Sequence, residues 1–194
     1  MIKIESIFNT LGYKIDDAYN DLINVQMLPE DEFIIWKEKK RWEIVKYHYK
    51  NNLFYKNKLG SSGINRHWND LPIMEKKDFQ VGLDNILSEN FSKKDCYIAS
   101  TSGSSGHPFY FAKDKYTNAR VGAFSKIRYE ELWLDFNSLE ARFYGIPKES
   151  IGNFTERAKD YILNRKRFPI FDLSDEKMEG FITYFKNYSF DYIY

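Results

Sequence analysis

The sequence has a single cysteine among its 194 residues, Cys96, and only three histidines. One cysteine excludes an internal disulfide and a cysteine-based metal site. The histidines at positions 48, 67 and 107 are too scattered to indicate a metal-binding group. An excess of charge of one sign is also lacking, because 29 basic and 28 acidic residues leave a formal charge of +1. This balance supplies no field that attracts nucleic acid, so we expect no nucleic-acid partner.

Long apolar runs are missing as well. Residues 1–6 lack the continuous apolar stretch of a signal peptide, and no stretch approaches the roughly 20 apolar residues of a membrane helix. The hydrophobic share of 43 % and the charged share of 29 % are ordinary for a globular chain. We therefore expect a cytoplasmic protein with no membrane span, whose oligomeric state the sequence does not determine.

Aromatic residues are abundant by contrast, at 18 % of the chain. Such rings fill a core, line a pocket or cover a surface that binds a partner. Core filling is the favoured interpretation, because large apolar side chains are mostly buried in globular proteins.

Residues 1–95 read as a mainly helical lead-in. Helix formers with few breakers predict one long or broken helix over 30–56, and the glycines of 60–63 predict a turn. A short helix is predicted over 75–89.

Residues 96–194 alternate between extended and helical patterns. The predicted extended segments are 96–99, 109–112, 142–146, 168–173 and 190–194, and the predicted helices are 115–134, 149–166 and 174–185. Alternation of this kind indicates an α/β fold. We treat 1–95 and 96–194 as two parts of one domain.

A cluster of hydroxyl residues and glycines joins the first two predicted strands, with the sequence Thr101-Ser-Gly-Ser-Ser-Gly-His-Pro108. The glycines permit positive φ, and successive backbone N–H groups in such a turn form a concavity that binds anions. Hydroxyl groups add further donors for phosphate oxygens. The cluster also fits a hairpin loop with no function. Its spacing excludes the Walker A pattern, the dinucleotide fingerprint and the nucleophile elbow.

The cluster resembles the Ser/Thr- and Gly-rich phosphate loop of the adenylate-forming superfamily, whose pattern is [ST]-[SG]-G-[ST]-[ST]-G-x-P. Flanking segments are similar to the phenylacetate–CoA ligase branch, particularly the group linked to capsular polysaccharide biosynthesis. These segments are Tyr47–Tyr55, Trp68–Asp78 and Phe190–Tyr194. The resemblance covers essentially the whole chain, although only the loop is specific. Ser105 stands where many relatives have threonine, and His107 stands where a lysine often follows the second glycine.

The resemblance implies an ATP-dependent ligase that joins a small carboxylate to the α-phosphate of ATP. The acyl group then passes to coenzyme A, or to an amine or sugar acceptor in surface polysaccharide assembly. The resemblance assigns the β- and γ-phosphates to Thr101, Ser102, Gly103, Ser104, Ser105 and Gly106. We expect the main contacts from the N–H groups of Ser104–Gly106 and from the hydroxyls of Thr101 and Ser104.

Other parts of the family's machinery have no counterpart here. In relatives, the acid that binds magnesium, the ribose-binding aspartate and the catalytic lysine of a mobile C-terminal domain all lie downstream of the position matching Tyr194. The resemblance therefore implies an incomplete large N-terminal domain, with magnesium bound only in a full-length enzyme. The alternative is a non-catalytic truncated module that acts in protein interaction.

We expect that the purified chain alone does not complete adenylation, because the implied magnesium-binding acid and lysine are not part of it. Isotope exchange between ATP and pyrophosphate measures this reaction directly. Exchange above the level of a blank, in the presence of magnesium and a panel of carboxylates, would contradict the expectation.

Overall fold

A computed structural model describes residues 4–101, 108–144 and 152–194, with the backbone alone for 4–5 and 152–156. Its helices are α1 Ile4–Thr10, α2 Ile15–Gln26, α3 Glu30–Asn51, α4 Leu53–Leu59, α5 Leu83–Ile86, α6 Lys115–Glu131, α7 Gly152–Ile162 and α8 Asp175–Asn187. Its strands are β1 Cys96–Ser100, β2 Tyr110–Asp114, β3 Glu140–Phe143, β4 Arg165–Phe168 and β5 Tyr192–Ile193. The fold is mixed α/β, as the sequence predicts.

Contacts within the chain divide it into two compact units. The hairpin unit comprises Tyr13–Gly122, and the sheet unit comprises Met1–Gly12 with Ala123–Tyr194. The strands β1 and β2 belong to the same unit as most of the helical lead-in.

In the hairpin unit, the helical pattern over 30–56 forms two helices, α3 and α4, which meet at Asn52. This residue has extended backbone angles, with φ −135° and ψ 103°, and its side chain accepts a hydrogen bond from the N–H of Tyr55. Asparagine is among the preferred residues at a helix N-terminus, because its side chain satisfies an N–H group that the helix leaves unpaired. Of the two predicted alternatives, one long helix or one broken helix, the broken helix is observed, and the break is at Asn52.

The turn after α4 also agrees with the sequence, since Gly60 and Gly63 both have positive φ, at 69° and 52°. The helix predicted over 75–89 is wrong. The chain there forms a single 3-10 turn, Lys76–Phe79, and the four-residue α5. Gly82 separates them with a φ of 88°, an angle that ends helical geometry.

The two strands predicted around the Ser/Gly cluster are present and pair in antiparallel fashion, with Cys96 opposite Asp114 and Ser100 opposite Tyr110. The helix predicted from Lys115 follows directly as α6 and ends at Glu131. The carboxylate of Asp114 accepts a hydrogen bond from the N–H of Thr117 at 2.6 Å, so Asp114 caps this helix.

The sheet unit contains three parallel strands in the order β4-β3-β5, so β3 lies in the centre. Helix α7 connects β3 to β4, and α8 connects β4 to β5. Helix α8 and strand β5 agree with the predictions. Strand β3 begins before the predicted 142–146, whose last two residues lie outside the described ranges. Helix α7 ends before residue 166, and the extended segment predicted over 168–173 is wrong except at Phe168, because strand β4 occupies 165–168.

Aromatic side chains form the core of the sheet unit. The Phe168 ring is 1 % exposed and lies 5.0 Å from the ring of Phe143 and 5.3 Å from that of Phe185. Phe181 and Phe190 complete the cluster at 5.1 and 5.8 Å from Phe168. Offset and edge-to-face rings at these distances gain more than their burial alone provides. Core filling is thus one use of the aromatic residues.

A buried carboxylate lies at the start of the central strand. Glu140 is fully buried; its Oε2 accepts hydrogen bonds from Arg165 Nε at 2.7 Å and from the hydroxyl of Tyr192 at 2.8 Å. Its Oε1 lies 3.1 Å from Arg142 Nε, an ion pair without the alignment of a hydrogen bond. Burial, reinforced by hydrogen bonds to Tyr129 and Glu140, raises the pKa of Tyr192 well above its usual range, so its phenol remains a donor. One carboxylate therefore ties β3 to both neighbouring strands.

We predict that Glu140→Gln lowers the free energy of unfolding by about 3–5 kcal/mol, because it leaves two poorly solvated arginines without their counter-charge. Glu131→Gln is the matched control. It removes an exposed ion pair to Arg128, 2.7 Å long, which contributes about 1 kcal/mol or less. Urea unfolding followed by circular dichroism measures both variants. If both variants lowered the free energy of unfolding equally, burial would not strengthen the ion pairs of Glu140.

Candidate functional site

The β1–β2 hairpin fixes Thr101, the first residue of the predicted phosphate loop, through hydrogen bonds to Phe109. The N–H of Thr101 donates to the carbonyl of Phe109 at 3.0 Å, and the Thr101 hydroxyl oxygen accepts from the N–H of Phe109 at 3.0 Å. These two bonds close the hairpin base and leave the hydroxyl hydrogen of Thr101, which is exposed, able to donate. The other predicted phosphate-binding residues, Ser102, Gly103, Ser104, Ser105 and Gly106, lie outside the described residues, as does His107.

Phenylalanine rings connect the hairpin base to the helical part of the hairpin unit. The Phe109 ring stacks on Phe111 at 5.8 Å and contacts the edge of Phe79 at 5.5 Å. Phe79 in turn lies 5.7 Å from Phe54. A row of packed rings restricts the rotamers of its members, so the residue that closes the loop is held on a rigid support.

A cavity of about 740 Å³ lies along this row. Helices α3, α4 and α5, strand β2 and the segments between them supply its walls. The lining is predominantly apolar, and its aromatic members are Tyr47, Phe54, Tyr55, Phe79, Phe91, Phe109 and Phe111. Clefts of this size and composition are typical of sites for small molecules.

Three polar side chains meet at the cavity wall. Asn52 and Ser88 are 5 % and 7 % exposed, and His48 is half-buried. The Asn52 amide donates to the carbonyl of Ile86 at 2.9 Å and to Ser88 Oγ at 3.3 Å. His48 Nδ1 lies 3.3 Å from the same Ser88 Oγ. The hydroxyl of Ser88 therefore joins the helix pair to the segment after α5.

The His48 imidazole is uncharged at neutral pH. Burial lowers its pKa below the usual value, because the imidazolium loses hydration that no nearby carboxylate replaces. The rings of Tyr47 and Tyr55 contact it edge-on at 5.4 and 5.9 Å between centroids. The sequence interpretation of His48 as a scattered histidine missed this site, since its partner Ser88 is 40 residues away along the chain.

Cys96 lines the same cavity and is half-buried. Burial raises the pKa of its thiol, and the carboxylates of Asp95 and Asp114 raise it further. A thiol in such surroundings remains protonated at neutral pH and is a poor nucleophile. The geometry therefore assigns Cys96 to the cavity wall rather than to covalent chemistry.

Two charged residues of β2 lie at the end of the strand. Lys113 Nζ sits 5.3 Å from the ring centroid of Tyr97 and 5.7 Å from that of Phe111, distances at which a cation attracts an aromatic face. The Asp114 carboxylate caps α6. Both groups have local structural partners.

Over the residues that the structure describes, no group of three or more histidine, cysteine, aspartate or glutamate side chains is placed to hold a metal ion. No described helix is long and apolar enough to cross a membrane.

Comparison with known proteins adds no relative: no family model, no curated protein and no solved structure matches the chain. The site is therefore interpreted from its own residues.

We predict that the hairpin unit loses stability as the pH falls from about 7.5 to about 5. The folded chain holds His48 with a lowered pKa, so below pH ~6.5 the unfolded chain binds more protons than the folded chain. This extra proton binding stabilises the unfolded chain and lowers the free energy of unfolding. Urea midpoints across this range measure the effect. Ordinary carboxylates titrate near pH ~4, outside this range.

The matched pair of variants is His48→Gln, which removes the imidazole, and Lys50→Gln, an exposed change on the same helix. We expect the first to flatten the pH dependence and the second to retain it. A wild-type slope in His48→Gln would contradict the assignment.

Proposed function

We propose that the chain is the N-terminal part of an ATP-dependent, acyl-adenylate-forming ligase, in which Thr101–Gly106 holds the phosphates of ATP. The observation that carries the proposal is the Thr-Ser-Gly-Ser-Ser-Gly sequence starting where strand β1 ends. Its last residue is followed closely by Phe109, which is bonded to Thr101 across the hairpin.

The chemistry of phosphate binding supports the assignment. Phosphate oxygens need several donors at fixed positions, and hydrogen bonds to a charged group contribute roughly 1.5–3 kcal/mol each. After Thr101 the segment carries three serine hydroxyls and two glycines, and the glycines let a ligand approach the main chain. A hairpin closed by two hydrogen bonds and braced by Phe79 restricts how far its loop ends move.

The reaction proposed is attack of a carboxylate on the α-phosphate, with release of pyrophosphate. Holding the β- and γ-phosphates aligns the leaving group with the attacking oxygen, and the donors offset charge that develops on it. Magnesium would be bound in the full-length enzyme by residues outside this chain. The acceptor of the acyl group is coenzyme A, or an amine or sugar of surface polysaccharide assembly, and its site is likewise proposed to lie outside this chain.

Titration of the chain with ATP and magnesium tests the proposal. The test variant is Gly106→Val, whose side chain crowds the loop backbone. We expect binding to weaken at least tenfold, because a branched side chain blocks approach to the N–H groups. Gly180→Val is the matched control, since an added Cβ at Gly180 in α8 meets no atom within 4 Å. Equal affinity in wild type and Gly106→Val would contradict the loop assignment.

A second pair of variants examines Thr101. Thr101→Val removes the hydroxyl that accepts from Phe109 N–H and is proposed to donate to phosphate, whereas Thr101→Ser retains it. We expect roughly tenfold or greater weakening of ATP binding in the first variant and near wild-type binding in the second. Identical ATP affinities in the two variants would show that the Thr101 hydroxyl does not contact phosphate.

One observation favours the second candidate, a non-catalytic module that acts in protein interaction. Several large apolar side chains are exposed, among them Ile73, Trp133 and Phe171 at 87 %, 96 % and 65 %. Exposed apolar side chains mark an interaction site where they lie together in one patch. A chain that is monodisperse, melts cooperatively and binds no nucleotide would support this candidate over the ligase.

A further inference from the structure

The cavity of the hairpin unit has the size of a ligand-binding cleft. Its volume is about 740 Å³. It falls within the roughly 300–1,000 Å³ of small-molecule sites.

The cavity walls favour a flat apolar body. The lining rings of Phe79, Phe109 and Phe111 differ in orientation, because Phe79 meets Phe109 edge-on while Phe109 and Phe111 are stacked. Aromatic ligands gain from both arrangements at ring distances of about 4.5–7 Å. A planar ring system therefore matches these walls better than a flexible chain, which loses more rotational freedom on binding.

The polar cluster at the wall offers one hydrogen-bond donor. Asn52 has used both amide hydrogens, on Ile86 and Ser88, and its carbonyl oxygen accepts from Tyr55 N–H. Between His48 Nδ1 and Ser88 Oγ only one hydrogen is shared. If Ser88 donates it, His48 keeps an Nε2–H, and if His48 donates it, Ser88 keeps its O–H. Either arrangement leaves a hydrogen for an acceptor on a ligand.

Among the described residues, the cavity lining carries no uncompensated charge. Its charged lining residues are Lys113 and Asp114, which are of opposite sign. The ammonium faces the rings of Tyr97 and Phe111, and the carboxylate caps α6. An ionised ligand would lose hydration without gaining a counter-charge that is free of other partners.

We propose that this cavity is a binding site for an uncharged aromatic small molecule that accepts a hydrogen bond from the His48–Ser88 pair. The described residues that line the cavity do not include Thr101, and the inference does not depend on the proposed ligase function.

Calorimetric titration of the whole chain, without ATP and at pH 7.5, tests the ligand class with probes of matched shape. These are naphthaleneacetamide, naphthaleneacetate and naphthalenemethylamine. We expect the neutral amide to bind at least tenfold more tightly than either ion. Preferential binding of the carboxylate or the amine would overturn the proposal, as would absence of binding by the amide at millimolar concentration.

Two alanine variants test the location. Ala112→Leu adds bulk to the cavity lining, whereas Ala99→Leu makes the same change on the partner strand, at a half-buried residue that does not line the cavity. We expect at least tenfold weaker amide binding in Ala112→Leu and wild-type binding in Ala99→Leu, with thermal melts confirming that both fold. Unchanged binding in a folded Ala112→Leu would place the ligand elsewhere.

The double variant His48→Phe with Ser88→Ala tests the hydrogen bond. It removes both candidate donors, so binding of naphthaleneacetamide is expected to weaken about two- to tenfold. Ethylnaphthalene, which has no acceptor, serves as the control ligand, and its affinity is expected to stay within twofold. Equal losses for the two ligands would indicate a general disturbance of the walls and contradict the donor role.

Discussion

The side chain of Asn52 is the point on which the hairpin unit depends. It is 5 % exposed, and its three hydrogen bonds reach the N-terminus of α4, the end of α5 and the hydroxyl of Ser88. The neighbouring carbonyl of Asn51 also accepts from Glu89 N–H at 2.7 Å. A buried amide stabilises a fold only when its donors and acceptors are paired, because unpaired ones cost about 1–3 kcal/mol each. Asn52 therefore both ends one helix and attaches the segment 86–89 to it.

The cavity and its polar wall follow from this attachment. Because Ser88 is held by Asn52, its hydroxyl is placed within 3.3 Å of His48, and the imidazole is kept among aromatic rings where its charged form is disfavoured. The row of rings that begins at Phe54 then continues to Phe109, which closes the hairpin with Thr101. The proposed phosphate loop thus starts from a part of the unit that is braced by side-chain packing.

The sheet unit is held together differently. Its core is a cluster of phenylalanine rings around Phe168, and its central strand is joined to both neighbours through the carboxylate of Glu140. A second ion pair, between Arg167 and Asp160, is bidentate with distances of 2.7 and 2.8 Å. This pair joins β4 to α7, whereas the Glu140 carboxylate joins the strands, and breaking either one leaves a poorly solvated charge unpaired.

Local signals in the sequence predicted the local features. Apolar runs on either side of the Ser/Gly cluster indicated strands β1 and β2, and a helical pattern from residue 115 indicated α6. The predictions failed where a single residue or a distant partner decided the outcome. Gly82 interrupted the helix expected over 75–89, and charged residues concealed strand β4, whose Arg165 is paired with Glu140.

Sequence patterns could not have predicted the polar wall of the cavity. Its contacts join residues 36 and 40 positions apart, between Asn52 and Ser88 and between His48 and Ser88. No periodicity or short motif records a contact of that separation. The proposed phosphate loop, in contrast, is a contiguous motif, so a resemblance in sequence alone is enough to propose it.

Backbone amide chemical shifts of the isotope-labelled chain, recorded during titration with ATP and magnesium, test the central claim most directly. The account predicts that the largest changes occur at the amides of Thr101–Gly106, with smaller changes at Phe109 across the hairpin base. Shifts that are absent from this segment, or that are concentrated elsewhere in the chain, would contradict the assignment of Thr101–Gly106 as the phosphate loop.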